Sequence, residues 1–122
     1  MKAGNIQVGA RLRVVVEPDI AIGPGKADIL EGIKETGSIA AAGRRMRMSY
    51  KRAWYLVRTV NRCFKVPLVE ASKGGRRGGG AQLTPLGEEV LRRYRRMERR
   101  TVRATATDLQ ALRKVLALRR SR

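Results

Sequence analysis

Two serines, Ser38 and Ser49, each stand directly before a stretch of helical pattern, and almost nothing separates the two stretches. A Ser hydroxyl can accept a hydrogen bond from the free N–H groups of a helix's first turn. Ser38 is thus placed to cap Ile39-Ala40-Ala41-Ala42-Gly43-Arg44-Arg45-Met46, and Ser49 to cap a run from Tyr50 to about Phe64. Only Arg47-Met48 lies between them, and the small pair Ala42-Gly43 permits close approach. Two helices joined by so tight a turn have the layout of a helix-turn-helix.

The flanking sequence extends this layout. Residues 1–10 carry little pattern and read as a flexible tail. Arg11 to Glu17, then Pro18-Asp19, then Ile20-Ala21-Ile22-Gly23 read as a small hairpin. Beyond Gly23-Pro24-Gly25, apolar Ala27, Ile29, Leu30 and Ile33 recur at helical spacing until Gly37 stops the run. Residues 17–35 hold five acids and two bases in a chain of net charge +18, so this first helix should face away from a polyanion or pair with a basic element. Pro67 to Ser72 and Ala81 to Thr84 bracket the glycine-rich segment Lys73-Gly74-Gly75-Arg76-Arg77-Gly78-Gly79-Gly80, which predicts two strands around a basic wing. Thr84 is a plausible N-cap, Pro85 suits the first helical position, and Glu88-Glu89 complement the helix dipole.

Leu86, Val90, Tyr94 and Met97 then recur at helical spacing, and the row continues less cleanly through Leu109, Leu112 and Leu116. Thr107 with Gln110 matches a capping box, so one long helix and two shorter ones both remain open. The fold class is mainly α with a small β wing, with residues 11–84 as a winged helix-turn-helix and 85–122 as a helical dimerisation segment. Leu86, Val90, Tyr94 and Met97 are expected in the dimer interface, and a helix packed on its own domain is the alternative.

Catalysis has little to work with. There is no His and one Cys, and the acids are scattered, so the chain offers no imidazole base, no His/Cys zinc cluster and no Ser-His-Asp arrangement. Trp54 reads as a core anchor, Cys63 as a small buried hydrophobe and the Met residues as filler. No apolar run approaches the ~20 residues of a membrane span, so a soluble, cytoplasmic, nucleoid-associated protein is expected. A pI near 11.6 with 43% hydrophobic residues describes a folded domain with a cationic surface, which favours nucleic acid. With 4% aromatic residues, a platform for stacking single-stranded bases is disfavoured.

The predicted helix from Tyr50 has two faces. At ~100° per residue, Tyr55, Arg58, Arg62 and Lys65 fall within about 40° of Lys51, while Ala53, Leu56, Val57, Val60 and Phe64 lie opposite. A charged stripe is often only a solvated face, but such faces mix signs. Residues 44–77 carry eleven Lys/Arg and a single acid, Glu70, which favours a DNA-facing surface. Ser49, Tyr50, Lys51, Arg52 and Tyr55 are then the candidate base readers. Arg44, Arg45, Arg47, Arg58 and Arg62, with Ser38 at the motif's flank, are candidates for the phosphates. In the glycine loop, a nucleotide-binding P-loop fails the motif and a plain linker would strand Leu83. A wing that brings Lys73, Gly74, Gly75, Arg76, Arg77 and Gly78 close to the duplex fits best.

Glu35-Thr36-Gly37-Ser38-Ile39, Met48 to Trp54, Asn61, Pro67-Leu68-Val69-Glu70 and Gly74 to Gly87 together resemble the N-terminal DNA-binding domain of ModE-type molybdate-responsive regulators. The resemblance covers residues 11 to about 100. It implies a LysR-like winged helix-turn-helix that dimerises on palindromic operators of molybdenum-related genes. Ser49 to Arg52 match the start of the family's recognition helix, and Lys73 to Gly80 its wing. The chain departs from the family in having Arg47 where Gly is frequent and Gly43 where Ala is frequent. Full-length members also carry a molybdate-binding domain, for which this chain ends too soon. The expectation is therefore a sequence-specific regulator of double-stranded DNA, homodimeric, with no cofactor and no effector domain of its own. Any molybdate or tungstate signal would come from a separate oxyanion-sensing protein. A non-specific architectural protein and an RNA-associated protein are the alternatives.

Overall fold

The computed structural model describes residues 9–72 and 80–117. In chain order the elements are β1 (Val14–Val16), β2 (Asp19–Ile22), α1 (Pro24–Thr36), α2 (Ile39–Arg45), α3 (Tyr50–Arg62), β3 (Val69–Ala71), β4 (Ala81–Leu83) and α4 (Pro85–Arg113). The molecule is thus mainly α, with two separate antiparallel hairpins. In the second hairpin Val69 faces Leu83, Glu70 faces Gln82 and Ala71 faces Ala81. This is the base of the predicted wing, whose tip, Lys73 to Gly79, lies outside the described residues.

Local signals set the helix boundaries. Pro24 opens α1, and Gly37 closes it in the left-handed region (φ 74°), where its N–H donates to the Ile33 carbonyl at 2.7 Å. The Ser38 hydroxyl accepts from the Ala41 N–H and the Ser49 hydroxyl from the Arg52 N–H, both at 3.0 Å, as their positions predict. Thr84 caps α4 by accepting from Gly87 N–H at 3.0 Å and donates in turn to the Pro67 carbonyl at 2.8 Å. Between the two open readings of the C-terminal segment, α4 is one continuous helix. The Thr105 hydroxyl donates to the Thr101 carbonyl at 2.6 Å, a bond made inside the helix, and Thr107 starts no new one.

The core is built around α1, which packs on α2, α3, α4 and β4. Its Ile29, Leu30 and Ile33 are fully buried beside Ala42 of α2, Ala53, Val57 and Val60 of α3, and Leu68 before β3. Gly87 lets the first turn of α4 press onto the wing base, since a Cβ there would sit 2.2 Å from the Leu68 carbonyl oxygen.

Tyr94 corrects the reading of α4. The residue expected between two protomers is 1% exposed and closes the chain's own core, with its hydroxyl donating to the Leu12 carbonyl at 2.6 Å. Burial pushes its phenol up to about 12. Leu86 and Val90 also pack partly buried against this core, whereas Met97 is 41% exposed. The apolar row therefore changes neighbours partway along: α4 crosses α1 first and projects beyond the domain afterwards. Arg95 fastens the crossing, donating to Asp28 (2.9 Å) and Glu31 (2.6 Å) of α1 and to Glu98 (3.0 Å). Burial alone would lower its pKa, but the hydrogen bonds it donates to Asp28, Glu98 and Glu31 outweigh that and raise it. Of the two fates open to the acidic first helix, pairing with basic elements is the one realised.

Candidate nucleic-acid interface

The capped start of α3 is the most exposed functional surface. Its apolar residues Ala53, Leu56, Val57 and Val60 turn inward, so Ser49, Tyr50, Lys51, Arg52, Tyr55, Arg58 and Arg62 all lie on the outer side and are exposed. Among them are four cations and no acid. Arg52 stacks over the Tyr55 ring, with its guanidinium carbon 5.7 Å from the centroid, which orients the side chain near the head of the helix. Helix α3 ends at Arg62, so Lys65, grouped with this face by periodicity, lies beyond it.

The turn before α3 is shaped by one residue. Arg47 adopts a left-handed backbone (φ 59°), and the Met46 and Met48 N–H groups both donate to the Gly43 carbonyl at 3.0 Å. A left-handed L-residue costs about 1–2 kcal/mol, which gives a physical reason for Gly at this position. Here the chain accepts that cost and gains an exposed guanidinium beside exposed Arg44. Gly43 packs at the α2–α3 crossing, where an added Cβ would lie 3.0 Å from the Ala53 Cβ. Of the three predicted phosphate ligands in this region, Arg45 is the one already engaged, donating to Glu35 at 2.6 Å on an exposed surface.

Trp54 is the second correction. It is 38% exposed, stands edge-on to Tyr50 with ring centroids 6.3 Å apart, and donates its indole N–H to the Tyr50 hydroxyl. It lies on the flank of the apolar face, and among the described residues no element covers that flank. With Ser38, Ile39, Ala40, Tyr50, Gly80 and Ala81 it lines a shallow cleft between the start of α2, the start of α3 and the wing base. The i,i+4 spacing of Tyr50 and Trp54 was the available signal for this aromatic pair. Half-buried Cys63 departs only in degree from the buried hydrophobe expected.

Asn61, two turns after Trp54 on the same side of α3, ties the wing to this helix. Its side-chain oxygen accepts from Leu68 N–H (2.8 Å) and Val69 N–H (3.1 Å), and its amide donates to the Val69 carbonyl (3.1 Å). The other strand is held by Ala81 N–H donating to the Gly37 carbonyl at 3.0 Å. The wing base is thus fixed to both ends of the motif. Predicted wing ligands Lys73, Gly74, Gly75, Arg76, Arg77 and Gly78 lie outside the described residues.

A tight two-helix turn, a cationic second helix and an adjoining β hairpin define a winged helix-turn-helix domain of the DNA-binding class. Residues 26–88 match the family described as bacterial regulatory helix-turn-helix protein, lysR family. The chain is 40% identical over 89 residues to the molybdenum-pterin-binding protein MopB of Rhodobacter capsulatus, covering 73% of this chain and 33% of that protein. It is 34% identical over 88 residues to the transcriptional regulator ModE of Haemophilus influenzae, covering 72% and 34%. The chain therefore spans about a third of the length of these curated relatives. The fold is shared with the protein in the crystal structure of the CbnR_DBD–DNA complex, at a TM-score of 0.58 and 23% identity, covering 72% of this chain and 95% of that one. The chain belongs to the lysR family of bacterial regulatory helix-turn-helix proteins. Within it, the domain is of the ModE type.

Proposed function

We propose that this chain binds double-stranded DNA sequence-specifically as a homodimeric transcriptional regulator, acting by binding and not by catalysis. The observation that carries the reading is the exposed, acid-free face of α3, held at its N-terminus by the Ser49 cap. Lys51 and Arg52 suit the O6/N7 edge of guanine, and Ser49, Tyr50 and Tyr55 stand beside them at the end that enters the major groove. Arg44, Arg47, Arg58 and Arg62 hold phosphates, which orient the domain without specifying sequence. Ser38 and the Tyr50–Trp54 pair border the same groove, and the wing segment Lys73 to Gly78 extends the contact along the backbone.

The dimer reading rests on the far half of α4. Val102 and Leu112 are exposed there, with exposed Met97 just before the helix midpoint and Leu116 just past its end. Tyr94 belongs to the protomer's own core, and Leu86 and Val90 are partly buried against it. The relatives' names place such domains in molybdenum-related proteins, and any oxyanion signal would reach this domain from a separate binding unit or partner. Among the described residues no helix is long and apolar enough to cross a membrane, which accords with a regulator working at the nucleoid.

The test is selection of genomic fragments on the purified protein at near-physiological salt. A palindrome with half-sites about one helical turn apart, or a multiple, is the expected result. Arg52→Ala or Lys51→Ala should then lose about 1–3 kcal/mol on the selected site and relax preference at one base pair. Retention of fragments with no shared motif would favour the architectural reading and refute the regulatory one.

A further inference from the structure

A second cationic surface lies on α4, away from the recognition helix. Taking Arg92 as zero and stepping about 100° per residue, Arg96, Arg99 and Arg103 all fall within about 40° of it. They form a row roughly 16 Å long. All four are exposed, and none makes an ion pair among the described residues. The core-facing Tyr94 and the apolar Leu112 lie about 160° away, Met97 about 140° and Val102 about 80°. The row therefore stays open when the core face and the apolar row are both covered.

Its neighbours do not neutralise it. Asp28, Glu31 and Glu98 hold Arg95, Glu35 holds Arg45, Glu88 holds Lys34 and Glu89 holds Arg93. Four carboxylates of the described residues stand outside ion pairs, Glu17, Asp19, Glu70 and Asp108, too few on a chain of net charge +18 to make a second copy a good source of counter-charge. Like charges three and four residues apart weaken a helix by about 0.2–0.5 kcal/mol per pair, a cost that an external polyanion relieves. Arginine at each position supplies a planar donor fork suited to phosphate. Helices α3 and α4 both turn their apolar faces toward α1, so their cationic faces look outward on different helices.

The geometry points to a second duplex-binding surface, in which Arg92, Arg96, Arg99 and Arg103 take the phosphates of a DNA segment other than the one read by α3. The inference rests on the reading of α3 as a duplex reader. The segment can come from flanking DNA of the same molecule or from a separate duplex. The test compares the wild-type chain with R92Q/R96Q/R99Q/R103Q and with the corresponding all-Lys variant. Binding is followed against salt on duplexes of about 15 and about 60 base pairs, with co-capture of two differently labelled short duplexes in parallel.

On the long duplex the Gln variant should lower the slope of log K against log salt by up to about 3.6 per bound protomer, that is 0.9 for each of four phosphates, with the short-duplex slope unchanged. The flanking source gives this loss. The separate-duplex source gives loss of co-capture instead, and the Lys variant keeps both. R92Q/R96Q and R99Q/R103Q should each give about half the effect, which guards against misfolding of the fourfold variant. An unchanged long-duplex slope with co-capture intact overturns the inference, as it would if the row held an acidic polypeptide. An equal drop on the short duplex overturns it too, by making the row part of the first interface. Arg52→Ala keeps the two readings separable, since it should relax sequence preference while leaving co-capture in place.

Discussion

Replacing Asn61 by Ala should separate the wing from the recognition helix without touching a DNA-facing residue. The side chain makes three hydrogen bonds of 2.8–3.1 Å to the backbone of Leu68 and Val69, residues that are 0% and 5% exposed. At about 1 kcal/mol per bond, with buried donors left unpaired, the loss of folding stability should be about 3 kcal/mol. In urea this would lower the midpoint by roughly 1–3 M for a domain of this size. Asn61→Asp keeps both acceptor bonds, loses the donor bond to Val69 and should lie between wild type and Ala. Measured where the variant is still folded, DNA affinity should fall while the preferred sequence stays the same, because the wing is displaced and α3 is intact. An Ala variant within about 0.5 kcal/mol of wild type would show that water replaces the amide at no cost and would refute the bridging role.

Three further outcomes are expected. Gly87→Ala drives a Cβ to 2.2 Å from the Leu68 carbonyl oxygen and should cost about 3 kcal/mol; a melting temperature within a degree or two of wild type would contradict the packing described. Tyr94 releases its proton near 10 when unfolded and at about 12 when folded, so above pH 10 the unfolded state binds fewer protons and stability falls as pH rises. The decline should reach about 2 kcal/mol by pH 12 and be absent from Tyr94→Phe; identical alkaline profiles for the two proteins would count against it. Ser49→Asp should keep the α3 cap and stability within about 0.5 kcal/mol, whereas Ser49→Ala loses about 1 kcal/mol. The carboxylate should nonetheless weaken DNA binding tenfold or more by standing at the groove-entering end; undiminished binding of the Asp variant would place that end away from the duplex.

Much of the architecture was legible because its signals are local. The Ser38, Ser49 and Thr84 caps, the Gly37 stop and the periodic apolar residues of α1 and α3 act within one or two turns, and each appears where the sequence puts it. The cationic face of α3 was legible for the same reason, since helical geometry alone assigns its sides. Trp54 and Tyr94 were misread because each sits where periodicity is silent about the neighbour. Trp54 lies on a flank that no element covers among the described residues, and Tyr94 belongs to an apolar row whose first half meets α1. Asn61 offered no chemical pattern of its own, because its partners are backbone groups brought to it by the path of β3.

The sequence by itself determined which segments are helical, where they begin and end, and that one helix presents cations opposite an apolar face. These follow from caps, periodicity and charge, which short-range geometry converts directly into structure. Only the tertiary structure decided that the acids of α1 are consumed by Arg95 and Arg45, that Lys34 of α1 takes Glu88 of α4, that Tyr94 is core, and that Arg92, Arg96, Arg99 and Arg103 are left without ion-pair partners among the described residues. Pairing and burial depend on which surfaces meet across residues distant in the chain, and helical spacing carries no record of that meeting.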